Sequence, residues 1–522
     1  MRNDALTTYP SSLPPWSFRC FFSHSSFPPL SSFRRSAGHL PSAPWPRLPV
    51  IGHLHLLGPL VHHSLHRLSL RYGPFFSLYL GSIPCIVVSN PHYAKLFLQD
   101  KELSFSSRFE STAIKRLTYE TSLAFSPNGP YCKFVKKLTL NELVGSRGTE
   151  RFWSLRAQGC QNLVKLVAKK ARSGDAVNVT EQLHKMTNRL ISKMMIGESE
   201  EATDVIREVT TMFGEFNVAD FVGVLKKVDV QGFGKRIENL HQRFDDLVER
   251  IITKREQGRE NGRKQDDGDK DFLDILLDLA EDESCHVKIT RVHMKGLVMD
   301  LFTAATGAIA TGIEWALAEL ISHPHLLQKA REEIDDVVGN QRLVDESDGS
   351  KLPFIQAVIK ETLRLHTPVA LVVRRCIVES RIENYVIPKN SVLIVNVWAM
   401  GRDQNLWESP MEFEPERFLR PVEGGNCERV LDVRGQHFGS HFEYFPFGSG
   451  RRMCAGITLD MQELPIVLAA LIQCFDFRPI GPDGNKVDEV DMIEGPDLTV
   501  PRAHELVCVP IARPICGPLH LV

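Results

Sequence analysis

The sequence is narrowest in what it permits at one decapeptide, Phe447-Gly448-Ser449-Gly450-Arg451-Arg452-Met453-Cys454-Ala455-Gly456, of the form F-x-x-G-x-R-x-C-x-G. A single cysteine stands among glycines, two residues after an arginine and just ahead of an apolar helical pattern. Glycine lets a backbone approach a large flat ligand where a Cβ would collide. A thiolate at a helix start is favoured by the free N–H groups and the dipole there. Arg452 sets a fixed positive charge within reach of an anionic group. A glycine-rich turn around a free buried cysteine would account for any one of these features. Together, at these spacings, they match the needs of a haem iron held by a proximal thiolate: soft anionic sulfur, close backbone, and a cation for a propionate.

A chain of 522 residues has room for several average domains, yet no period of about 20–50 residues repeats. Lys and Arg total 62 against 64 Asp and Glu, so net charge gives no support to nucleic-acid binding. The 11 cysteines are odd in number, scattered, and never spaced C-x-x-C. That argues against a disulfide framework and for a reducing compartment.

Residues 1–39 are rich in Ser, Pro, Phe and Arg, with Asp4 the only acid. No run there approaches the ~20 apolar residues of a membrane span. An organelle transit peptide, a disordered extension and a misplaced start all stay open. Residues 40–52 carry Pro41, Pro44, Pro46 and Pro49 and read as a stiff hinge. Residues 53–513 read as one large domain, followed by a tail, 514–522. Within the domain, 74–88 predicts a hairpin turning at Gly81-Ser82. Ile237, Leu240, Phe244, Leu247 and Ile251 recur at helical spacing. The charged stretch 255–271 reads as a solvated loop. A long helix is expected over about 290–323, before Pro324, and another ending near His366, before Pro368. The fold class is mainly α with small β-sheets.

Glu361 and Arg364 lie three apart and share a helix face. Alone, such a pair would be an ordinary surface contact. Here it precedes Pro415-Glu416-Arg417-Phe418 and then the cysteine loop. That order resembles the cytochrome P-450 superfamily, and the likeness runs from Leu40 to Arg513. The resemblance implies a triangular helical domain enclosing haem b. In it Cys454 would ligate iron, Arg452, Arg374 and Lys136 would meet the propionates, and Phe447, Gly448 and Gly456 would shape the loop. Glu361, Arg364 and Arg417 would form a buried triad behind it. A tryptophan usual four residues before Lys136 is Cys132 here, which removes an indole N–H donor.

The same resemblance exposes departures. In relatives the long helix carries a small residue, then an acid and an alcohol that relay protons. Ala304 and Ala305 keep the small part, but the acid slot holds Gly307 and the alcohol slot Ala308. Thr306 or Thr311, with ordered water, would have to substitute. Gln436-His437-Phe438-Gly439-Ser440-His441-Phe442-Glu443 repeats His-Phe and looks like a four-residue insertion, expected to bulge at the surface.

The chain is most similar to plant flavonoid-modifying members, the group with flavone synthase II and 2-hydroxyisoflavanone synthase. Ile51-Gly52-His53-Leu54-His55-Leu56-Leu57, Arg434-Gly435-Gln436-His437-Phe438 and Leu498-Thr499-Val500-Pro501-Arg502-Ala503-His504 carry this likeness. It implies oxidation of a flavanone with O2 and electrons from an NADPH-dependent reductase docking near Arg451. The run Phe302-Thr303-Ala304-Ala305-Thr306 favours a flavone product, and 2-hydroxyisoflavanone synthase or another flavonoid hydroxylase is the alternative. The isoflavone branch places a lysine within 367–373, where this chain is apolar. The implied pocket has walls at Phe125, Phe213, Leu301, Ala304, Ala305, Val369, Leu371, Val372, Leu498 and Thr499. Attachment to the cytosolic face of the endoplasmic reticulum is implied too, although 1–39 shows no anchor run, so a cytosolic or plastid location stays open. A different class of reading is a folded haem-binding protein whose turnover is impaired by Gly307 and Ala308.

Overall fold

A computed structural model describes residues 40–197, 201–223, 225, 229, 231–261, 270–421, 428–430, 442–487 and 489–513. The N-terminal extension, the C-terminal tail and most of the repeated His-Phe stretch lie outside the described residues.

The long apolar stretch is one helix, Arg291–Ser322. Thr290 at its start donates its N–H to His293 Nδ1 at 3.1 Å, and Pro324 opens the next helix, Pro324–Val337. A helix apolar on nearly every side must be covered on every side. This one lies against Val179–Ile196, Pro353–Leu365 and Ile457–Cys474. It and Ile457–Cys474 are long and apolar enough to cross a membrane, but both are mostly buried within the protein.

The predicted hairpin pairs Phe75–Leu80 with Ile83–Val88 around Gly81, whose φ of 60° suits glycine. Val392–Asn396 adds in parallel to Ile83–Val88, and Leu371–Arg375 adds antiparallel at the edge. Successive side chains of that edge strand point to opposite faces, so Val372 and Arg374 are buried while Leu371 and Val373 are half-buried. The proline-rich segment runs along the other edge: Ser77 N–H donates to Ser42 O at 2.8 Å and His53 N–H to Tyr79 O at 2.7 Å.

The charged stretch 255–271 departs from the expected loop over its described residues, 262–269 lying outside them. Its first third continues the helix Phe233–Glu260. Arg255 donates to Asp274 at 2.6 Å and Asp271 at 2.5 Å, and Arg259 to Asp278 at 2.8 Å, all at or on helix Phe272–Glu281. Charges that face water in a loop are here partners between two helices.

One buried carboxylate near the end of the long helix makes a pH prediction. Burial pushes Glu319 up, but hydrogen bonds from His323 and His366 outweigh it and hold the group at about 2. His366 Nε2 lies 2.6 Å from Oε1. A folded-state value below the ordinary 4.5 means stability that is present above pH 4.5 and lost as pH falls toward 2. Glu319→Gln is therefore expected to lower unfolding free energy at pH 7, by roughly 3 kcal/mol at most, and to narrow the gap to the unaltered protein at pH 3. Denaturant melts at both pH values check this; an equal gap at both would contradict it.

Candidate functional site

The cysteine loop is a tight backbone path. Gly448 and Gly450 take φ of 71° and 68°, the region that glycine occupies at little cost. A Cβ on Gly450 would also collide with Glu102 and the Leu98 carbonyl. Cys454 N–H donates to Phe447 O at 3.0 Å, and Gly456 N–H donates to Cys454 Sγ at 3.3 Å. Phe447 packs against the main core, and helix Ile457–Cys474 begins directly after Gly456. The Cys454 side chain has accessible surface, yet burial and, next, the charge of Asp460 push its thiol up to about 12. A sulfur both accessible and desolvated faces an enclosed space rather than open solvent. A haem iron would take the place of the proton on such a sulfur.

Arg374 and Arg452 converge with an arginine that the sequence reading passed over, Arg108. Arg374 is 3% exposed and, among the described residues, donates only to Val373 O, at 3.1 Å. Burial, then the charges of Arg108 and Arg452, push it down to about 8. Arg108 is pushed down to about 10 by burial and then by Arg452, and its Nε has no partner among the described residues. Arg452 donates to Ser106 O at 2.9 Å, to Leu123 O at 3.3 Å, to Ser126 O, and toward Cys132 Sγ at 3.6 Å. Three buried guanidiniums acting on one another, none ion-paired among the described residues, favour an anion between them. The two propionates of a haem meet that requirement, so the residues fit the group. Lys136 is directed differently: its Nζ donates to Arg451 O at 2.7 Å, bracing the loop. The signal for Arg108 was a lone arginine inside Phe105-Ser106-Ser107-Arg108-Phe109, which nothing in the sequence alone tied to Arg374.

Behind the loop, Arg364 grips Glu361 with two parallel bonds of 2.7 Å, and Arg417 Nε donates to the same carboxylate at 3.1 Å. Glu414 N–H adds a fourth bond at 2.9 Å. The remaining Arg364 donors reach the carbonyls of Gly401, Pro410 and Glu412. Glu361 and Arg364 are fully buried and Arg417 nearly so. One ion network thus fixes helix Pro353–Leu365 to the meandering segment 401–417. Tyr444 O–H donates to Lys360 O at 3.0 Å and ties the approach to the cysteine loop to that same helix. Of the repeated His-Phe stretch only its end is described; Phe442 is buried, at φ 55°.

On the long helix, Ala304 is exposed between buried Thr303 and half-buried Ala305, so it lines a space. Thr306 O–H is committed to Phe302 O at 2.9 Å, and its carbonyl accepts from Thr187 at 3.0 Å. Its hydroxyl is therefore held against its own helix. Thr311 is wholly buried, with no hydrogen-bond partner for its hydroxyl among the described residues. Gly307 faces Thr499: a Cβ there would lie 3.5 Å from both its Oγ1 and its Cγ2, ordinary contact. Ala308 beside it is half-buried.

The implied pocket residues fall into groups. Phe125 and Phe213 meet edge to face, with ring centroids 6.3 Å apart. Phe125 sits on a segment pinned to the long helix, where Asp300 accepts from Ser122 O–H at 2.6 Å and from Ala124 N–H at 3.1 Å. Leu301 is half-buried against the core. Val500 N–H donates to Pro368 O at 3.0 Å, which sets Leu498 and Thr499 beside exposed Val369; Val500 packs in one cluster with half-buried Leu371. Val372 does not join them: strand alternation turns it into a separate core with Phe97 and Phe105.

A family profile for cytochrome P-450 matches residues 42–507. The 2-hydroxyisoflavanone synthase of Glycyrrhiza echinata is 48% identical over 501 residues, covering 93% of this chain and 94% of its own. That of Glycine max is 48% identical over 487 residues, 91% of this chain and 92% of its own. A 3,9-dihydroxypterocarpan 6A-monooxygenase of Glycine max is 42% identical over 494 residues, 92% and 94% of the two chains. With a profile spanning nearly the whole fold and relatives matched end to end, the chain belongs to the cytochrome P-450 family, monooxygenases that hold haem on a cysteine thiolate and draw electrons from NADPH through a reductase.

Proposed function

We propose that this chain oxidises a flavanone, with Cys454 as the iron ligand and a flavone as product. The observation that carries the site is the convergence of Arg108, Arg374 and Arg452, none of them ion-paired to an acid among the described residues, beside a sulfur that accepts the Gly456 N–H. When bound, haem supplies O2 activation and hydrogen abstraction from substrate carbon. The chain's own residues do the rest. Arg374, Arg452 and Arg108 would neutralise the propionates, and Gly448 and Gly450 would let the loop backbone approach the macrocycle closely. Ala304 and Ala305 leave room above it. Phe125 and Phe213 offer aromatic faces to a flat polyphenol, and Leu498 and Val369 add apolar wall. An entry at 367–373 without a cation, running Thr367, Pro368, Val369, Ala370, Leu371, supports the flavone reading. Two relatives named 2-hydroxyisoflavanone synthase support the second reading, oxidation with migration to a 2-hydroxyisoflavanone.

The expected result with reductase, NADPH and the flavanone naringenin is a flavone; a 2-hydroxyisoflavanone would select the second reading, and no turnover of any flavanone would end both. Independently, Cys454→Ala is expected to abolish the thiolate band in the reduced carbon-monoxide difference spectrum. An unaltered band in that variant would mean that the sulfur ligand lies elsewhere.

A further inference from the structure

Helix Ile457–Cys474, which follows the cysteine loop, carries an acid that the mechanism does not use. Asp460 lies in its first turn, among Ile457, Leu459 and Met461. A Cβ at Gly456 would stand 3.7 Å from Cys454 Sγ and 3.8 Å from Asp460 Oδ1. Sulfur and carboxylate therefore flank one glycine, each at contact distance from the same point. Asp460 keeps some accessible surface, yet no donor reaches its carboxyl among the described residues. Burial alone accounts for its rise to about 7. Three residues on, Glu463 is a contrasting case: it too is buried, but Arg156 lies 3.6 Å away.

We propose that Asp460 sets the reduction potential of the haem iron, its carboxylate lying near the sulfur of Cys454 at Gly456 and opposing the arrival of the first electron. The inference rests on Cys454 being the iron ligand. One electron from the reductase converts ferric to ferrous iron, so the iron–sulfur unit gains one negative charge and no bond is made or broken. A carboxylate close by in low dielectric disfavours that charge and lowers the potential. Asp460 would then favour the ferric state of the resting protein, limiting idle electron uptake.

Spectroelectrochemical titration of the purified holoprotein at pH 8.5, where a carboxyl raised to about 7 is ionised, tests this. Asp460→Asn and Asp460→Ala are each expected to shift the ferric–ferrous equilibrium about tenfold toward ferrous, ~59 mV for one electron. Asp460→Glu, which keeps the charge, is expected to stay near the unaltered protein, and Glu463→Gln to shift less, because Glu463 lies a further turn along the helix from the cysteine loop. Removing an unpaired buried charge favours folding, so Asn and Ala variants are expected to retain haem, and either one alone reads the effect. The reduced carbon-monoxide band is recorded on the same samples. A lost thiolate band in the unaltered protein would undo the ligand assignment. A normal band with an unmoved potential in Asp460→Asn, or an equal shift in Asp460→Glu or Glu463→Gln, would overturn the role of Asp460.

Discussion

The Gly307→Asp, Ala308→Thr variant is expected to form more product per NADPH oxidised than the unaltered chain, with the same haem content. Monooxygenation consumes two protons with each O2, and a positioned donor contributes ~10²–10⁴ in rate, about 3–5 kcal/mol of barrier. The chain as it stands has no carboxyl or hydroxyl at 307 or 308, and Thr306 O–H is tied back to Phe302 O at 2.9 Å. The variant has room: the first carbon at 307 meets Thr499 at 3.5 Å, without collision. The same contact puts the Thr499 hydroxyl beside the acid slot. There it can hydrogen-bond a carboxyl introduced at that position or, in the unaltered chain, stand in for the missing alcohol. Thr499→Val separates these roles. If Thr499 stands in, coupling of the unaltered chain falls further in that variant while the carbon-monoxide band is unchanged. Peroxide release measured against flavone yield reads all three proteins. A flavone yield that already tracks NADPH consumption would remove the impaired-turnover reading, and a double variant without any gain would show that the helix is not what limits coupling.

Glu361→Ala is expected to yield protein without haem. The carboxylate is fully buried and holds four bonds, two from Arg364, one from Arg417 and one from the Glu414 N–H. Removing it leaves Arg364 charged in the interior with carbonyl partners only. Breaking such a network from one side costs about 3–5 kcal/mol, a large share of the ~5–15 kcal/mol that holds a domain folded. The loss falls on segment 401–417 and, through Tyr444 and Lys360, on the approach to the cysteine loop. Glu361→Gln keeps the shape without the charge and is expected to fall between. Haem per protein, from the Soret absorbance of equal amounts of purified chain, is the readout; a normal complement in Glu361→Ala would contradict the coupling of triad to loop.

The loop around Cys454, the E-x-x-R helix and the long apolar helix were legible in the sequence because each is written locally. Glycines at left-handed positions, a 3.6-residue period and a proline stop need no distant partner to be recognised. The hairpin at 75–88 was legible for the same reason. What stayed hidden was charge whose meaning depends on chain segments far apart. Arg255 and Arg259 read as solvated until helix Phe272–Glu281 supplied carboxylates. Arg108 became part of a cation cluster only when its segment met strand Leu371–Arg375 and the cysteine loop. Asp460 drew no reading from the sequence, and folding brings it and the Cys454 sulfur to the same glycine, Gly456. The order of residues was enough to mark one cysteine, on one glycine-rich turn ahead of a helix, as the place where the chemistry would sit. Which charges stand around that cysteine was settled by folding, because a Coulomb interaction depends on separation in space and on burial, and neither is a property of position along a chain.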